Sequence, residues 1–122
     1  MNDEKRKVDL PERTYKFALE IVKTEQLLPK SRVSYILGDQ LLRAGTSIGA
    51  NVEEAFAGLT KKDFTHSMNI ARKEARETKY WLRLIIDAGL IEASKVKPIL
   101  QESEELICIL TTIVKKSQKR QL

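Results

Sequence analysis

Residues 43–58 read RAGTSIGANVEEAFAG, a run with Gly45 and Gly49 four apart, a Thr-Ser pair and Asn51, all weak helix formers. Two readings compete: a break near Gly45, or one long helix that tolerates the glycines. The apolar register decides between them. Leu41, Ala44, Ile48, Val52 and Ala55 recur at helical spacing straight through the glycines, so the spacing predicts a continuous helix. On a wheel of 100° per residue, Gly45 and Gly49 share one side, flanked by Leu42 and Phe56, outside that main apolar arc. Each glycine costs up to about 1 kcal/mol relative to alanine in a helix interior. A groove that admits the backbone of another helix would compensate.

The neighbouring segments follow the same pattern. Pro11 opens a helix closed by Pro29, over about 11–28, with Phe17, Ala18, Ile21, Val22 and Leu28 as its apolar face. The glycine-bearing helix begins near Ser34, carries Ile36 and Leu37 inward, and runs to 57 before Gly58. Thr60 and Asp63 resemble a capping box with the shorter acid. They start a third helix over 61–88, striped by Phe64, Met68, Ala71, Ala75, Thr78, Leu82 and Ile85 and ended at Gly89. A fourth, capped between Ser94 and Pro98 and spanning about 95–117, turns Ile99, Leu106, Ile107, Leu110, Ile113 and Val114 inward. The ends, 1–10 and 117–122, are polar and expected to fray. Short connections make sequential helices antiparallel neighbours. The expected fold is all-α, a single domain over 1–122 in the form of an antiparallel up-down-up-down four-helix bundle.

Composition agrees. With only five glycines and three prolines among 122 residues, a turn-rich β-sandwich is excluded; 42% apolar and 32% charged residues fit a soluble bundle. No apolar run approaches the ~18 residues of a membrane span, and the N-terminus has no secretory pattern. The lone Cys108 forms no internal disulfide, which suggests a reducing cytoplasm, and its apolar surroundings suggest a small core residue.

Polar residues flank the apolar arc of the second helix. Arg43, Ser47, Asn51 and Glu54 are spaced by four, four and three, and Asn51 is expected to be half-buried and hydrogen-bonded in a network that fixes helix register.

Two segments, QLLRAGTSIGANVEEA (40–55) and KEARETKYWLRLI (73–85), together resemble the 23S rRNA intervening-sequence protein family. The resemblance extends from RTYKFALEIV (13–22) through the fourth helix. Its most specific residues are Arg43, Ser47, Ile48, Ala50, Asn51 and Glu54, then Glu74, Glu77, Tyr80, Trp81 and Leu82. It implies a four-helix bundle that assembles as a ring-like homopentamer. A related branch, the accessory proteins of diversity-generating retroelements, implies contact with a reverse transcriptase and nucleic acid.

The charge pattern points the same way. The net charge is +5, and seven bases stand against four acids between Lys61 and Asp87. Arg72, Arg76, Lys79 and Arg83 fall within an arc of roughly 60°, with Lys73 beside them. Like charges at these offsets repel, so the stripe calls for an anionic partner. Lys115, Lys116, Lys119 and Arg120 form a second cluster. Phosphates are the functional partner, giving RNA or other nucleic acid without base specificity. Acids on another helix or subunit, with Glu102, Glu104 and Glu105 as candidates, are the competing one. Ile70, Trp81 and Leu84 lie on a further side of the third helix and, with Gly45 and Gly49, are expected to pack helices or subunits.

Catalytic patterns are missing. The sequence has neither a Walker loop nor a G-x-G-x-x-G motif. One histidine, His66, is too few for a bundle di-iron site. No cofactor, metal or enzymatic role is expected. The leading expectation is an oligomeric, nucleic-acid-binding bundle; the alternative is a scaffold or adaptor for a reverse transcriptase or ribosome-associated protein.

Overall fold

The computed structural model describes residues 9–121 and contains four helices: α1 (Leu10–Glu25), α2 (Arg32–Ala57), α3 (Lys61–Asp87) and α4 (Ala93–Gln121). The starts of α1, α2 and α3 each have a local chemical cause. The Asp9 side chain accepts from the Glu12 amide, Ser31 from Ser34 and Thr60 from Asp63, each satisfying a donor that the first turn leaves free. Ser31 rather than Ser34 is therefore the cap of α2, which starts two residues earlier than its apolar pattern.

Gly89 ends α3 as expected, whereas the ends of α1 and α4 differ from expectation. The chain leaves α1 at Glu25, three residues short of Leu28, through tightened bonds from Leu27 to Thr24 and from Leu28 to Glu25, because the residue before Pro29 is disfavoured in the helical region. At the end of α3, Gly89 takes φ +70°, which glycine adopts without steric cost; the amides of Gly89 and Leu90 return to Ile86 and Ile85. Helix α4 begins at Ala93, so that the Ser94–Pro98 stretch expected to cap it lies inside the helix; it continues to Gln121 rather than fraying at 117 and accommodates Pro98 in its second turn.

Side-chain pairings set the topology. Gly45 of α2 lies against Ile21 of α1, and Gly49 against Thr14. Phe56 meets Phe64, while Arg43 meets Glu74 and Glu77. Thr65 bonds Ser117, and Lys79 pairs with Glu104. In every case the residue numbers run in opposite directions, so α1/α2, α2/α3 and α3/α4 are antiparallel. Arg13 with Glu102 and Glu105 closes α1 against α4. The result is the up-down-up-down bundle.

Ile21, Leu41, Ile48, Val52, Met68, Leu82, Ile85, Val96, Leu106 and Leu110 are fully buried at its centre. Each large aliphatic side chain so buried contributes about 1.5–3 kcal/mol. Helix α2 is unbroken, and its glycines are buried under α1, so its inward face is wider than the main arc. Three expected inward residues turn out: Ile36 is 51% and Val22 37% exposed, and Cys108 is exposed.

Candidate nucleic-acid interface

The basic stripe of α3 is divided by its neighbours. Arg72 is half-buried, and its guanidinium donates from Nε (3.0 Å) and Nη2 (2.8 Å) to the Asn69 side-chain oxygen. That contact orients the group, and no carboxylate of the described residues pairs with its charge. Lys79 pairs with Glu104 of α4 at 3.3 Å, so one of the four cations does meet an acid. Arg76, Arg83 and Lys73 are exposed, and no carboxylate of the described residues lies within ion-pairing distance of them. Glu102 and Glu105 do not serve the stripe; they clasp Arg13 at 2.7 Å and 3.2 Å.

The fold adds one cation that the sequence pattern does not suggest. Lys97 of α4 lines a groove with Lys79, Arg83, Ile86, Asp87, Leu100 and Glu104, which extends the basic surface from α3 onto α4. No periodicity within either helix could reveal it, since the pairing is set by how the two helices register. Lys115, Lys116, Lys119 and Arg120 are exposed at the far end of α4. Antiparallel packing places them beside the start of α3, away from Arg83.

The polar stripe of α2 meets α3 over the outside of the bundle. Arg43 contacts Glu77 and, at 3.3 Å, Glu74. The hydrogen bond that its guanidinium donates to Glu77 is the main reason its pKa is raised. The Ser47 hydroxyl donates to the Arg43 carbonyl at 2.6 Å, and the half-buried Asn51 amide donates to the Ser47 carbonyl at 2.8 Å. Glu54 is exposed and takes no part. The connected part is thus Arg43, Glu74 and Glu77 across helices, with Ser47 and Asn51 bonding along α2.

Of the packing residues, Gly45 and Gly49 face α1, and Ile70 is half-buried. Trp81 packs partly against the core, edge-to-face with Tyr80 at 5.0 Å between centroids. Its indole Nε1 is buried without an acceptor among the described residues. Tyr80 (55%) and Leu84 (36%) remain exposed on either side of it.

Arg13 is a further structural cation. Hydrogen bonding to Glu102 is the main cause of its raised pKa. A raised guanidinium pKa stabilises the fold at every pH below the ordinary arginine value and loses effect only above it, so this group adds no pH dependence near neutrality. Among the described residues no three His, Cys, Asp or Glu side chains gather as a metal site, and no helix is long and apolar enough to cross a membrane.

In class, the chain is an all-helical, antiparallel four-helix bundle with exposed cations on α3 and an ion-paired α2/α3 seam. The family model described as 23S rRNA-intervening sequence protein matches residues 6–112, and the chain belongs to that family. A solved structure from Bacteroides thetaiotaomicron, described as a protein of unknown function from the S23 ribosomal protein family, is similar at 37% identity with a TM-score of 0.81. The alignment covers 87% of this chain and 98% of that one. No curated protein matches the sequence significantly.

Proposed function

We propose that this protein is a non-enzymatic, cytoplasmic, homo-oligomeric bundle that binds RNA or another nucleic acid through the basic surface of α3. The observation that carries the reading is the exposure of Arg76, Arg83 and Lys73 with no carboxylate partner among the described residues. A cationic row held on a rigid helix tracks phosphates, and each neutralised phosphate releases counterions. Lys97 broadens the row, and Arg72, already oriented by Asn69, needs little rearrangement to join it. Lys79, held by Glu104, contributes least.

Self-association would repeat the row around one particle and raise its avidity. Exposed Tyr15, Leu19 and Val22 on the outer face of α1 support a copy-to-copy contact, and family resemblance makes a pentamer the expected form. Light scattering tests this: a mass that stays near 14.0 kDa at all concentrations would rule out the oligomer.

For nucleic acid, the test is Arg76→Glu with Arg83→Glu. Affinity for mixed RNA should fall at least tenfold and the salt dependence should flatten, with helicity retained. Unchanged affinity would remove the reading. The second reading, a scaffold that docks a reverse transcriptase or ribosome-associated protein without touching nucleic acid, is favoured by the Trp81 indole without an acceptor between exposed Tyr80 and Leu84.

A further inference from the structure

At the end of the bundle where α3 begins and α4 finishes, Lys61, Phe64, Ile113, Lys116, Ser117 and Arg120 line an open groove of about 280 Å³. We infer that this groove is a single-strand subsite, in which one unstacked nucleobase lies against Phe64 while the flanking phosphates meet Lys116 and Arg120. The inference rests on the nucleic-acid reading above and narrows it to single strands.

The groove is rigid at its base. Thr65 and Ser117, both buried, are hydrogen-bonded across α3 and α4, and the Thr65 hydroxyl also donates to the Lys61 carbonyl at 2.9 Å. The Phe64 ring is held edge-to-face against Phe56, with centroids 5.7 Å apart and planes at 76°. An aromatic face fixed beside cations is the usual platform for single-stranded nucleic acid, because every base has a π-face and every linkage a negative charge. A duplex keeps its bases stacked and cannot present one to the ring.

Charge selects this side of the aromatic pair. Among the described residues no acid lines the groove; Asp63, in the first turn of α3, is exposed nearby. Lys62, Lys115 and Lys119 are exposed at adjoining positions, and the amino-terminal end of α3 adds the positive end of its dipole. The other side of Phe56 opens on a surface lined by Asp9, Glu12 and Glu53 with Pro11 and Tyr15, which repels a phosphate chain. Two further clefts, each larger than this groove, also include glutamates: Glu20 and Glu102 in one, Glu53 and Glu54 in the other. Sequence periodicity could not expose the groove, because Phe64 and Arg120 lie on different helices and meet only through antiparallel packing.

The test uses the full chain with a labelled oligouridylate and an RNA duplex of equal length, followed by anisotropy across a salt series. Phe64→Leu keeps an apolar side chain and removes the ring face; it should weaken oligouridylate binding about tenfold and leave duplex binding unchanged. Lys116→Gln with Arg120→Gln, at exposed positions that do not threaten folding, should lower the single-strand salt slope by about 1.4, the loss of two phosphate contacts. Circular-dichroism melting identifies any loss of fold in Phe64→Leu, and the glutamine pair then carries the test.

If both sets of groove variants bind oligouridylate like the unsubstituted protein while Arg76→Glu with Arg83→Glu abolishes binding, the groove is overturned and the α3 surface stands. The reverse pattern upholds the groove and overturns the α3 surface. Equal loss of duplex and single-strand affinity in the groove variants overturns the base-stacking role.

Discussion

Against α2, helix α1 lies so close that a methyl group added at Gly45 would sit 2.7 Å from two carbons of Ile21, and one at Gly49 would sit 3.3 Å from the Thr14 backbone. Against α4, the same helix stands off. There a cleft of about 430 Å³ opens over Phe17, Pro98 and Ile99, bridged at one end by the Arg13 clasp on Glu102 and Glu105. One seam is made by deleting side chains, the other by extending them. Close-packed seams accept few changes of volume, whereas long charged side chains at partly exposed positions adjust at small cost. Helix α1 is therefore registered by α2 and merely retained by α4. The glycines and weak helix formers of 43–58 are the cost of that registration within α2.

The sharpest way to break this contrast is Gly45→Leu. Its Cβ alone overlaps the Ile21 branch, which is fully buried and cannot swing aside. We expect destabilisation of about 3 kcal/mol, at the upper end of core overpacking, seen as a lower urea midpoint. An unchanged midpoint would mean that no helix approaches Gly45. A double-mutant cycle sharpens the same contact. Ile21→Ala should be costly by itself, about 2–5 kcal/mol. Gly45→Ala, unfavourable in the native background, should become favourable once Ile21 is trimmed. The coupling should reach about 1–2 kcal/mol, within the range for touching residues; additive energies would refute the direct clash.

How far the amino-acid pattern carries is clearest at the places where it fails. Helix number and order, the core stripe of α3 and the continuity of α2 follow from apolar spacing, because one face of each helix must be buried and 3.6-residue periodicity records which. Where apolar residues run consecutively, periodicity loses that power: in 106–110, LICIL, every residue qualifies, and Cys108 lands outside. Ile36 fails similarly next to Leu37. The α2 cap was ambiguous because Ser31 and Ser34 are both good caps three residues apart. The extension of α4 to Gln121 was hidden by its polar sequence, yet Ser117 is buried against Thr65. The α3 stripe was legible as a pattern, since it lies on one helix. Its partition was not: the Lys79–Glu104 pair, the contribution of Lys97 and the Phe64 groove all depend on inter-helical register.

The loose seam offers a weaker lever. Arg13→Ala removes a clasp whose side chains are 27% and 30% exposed at its shorter bridge. Water screens such a pair, so the loss should be about 1 kcal/mol or less, well below that of Gly45→Leu. A loss as large as the glycine variant's, measured by the same urea titration, would show that α4 registers α1 as firmly as α2 does.

The smallest effect should have the opposite sign. Gly38 is the third buried glycine of α2, and it also faces the α1 end of the tight seam. A Cβ there would meet Leu28 Cδ1 at 3.1 Å and the Glu25 side chain at 3.3 Å. These are the Leu28 tip and the Cγ and Oε2 of Glu25, atoms of flexible side chains and not backbone or a branched Cβ, so they can move by a few tenths of an ångström. Alanine also recovers the helix propensity that glycine forfeits, up to about 1 kcal/mol. Gly38→Ala should therefore stabilise the bundle by about 0.5 kcal/mol, raising its melting temperature slightly. A fall instead would place the close approach along the whole length of α1 and α2. A rise confines it to the two turns at Gly45 and Gly49, where the α1 side chain and backbone leave no room for a methyl group.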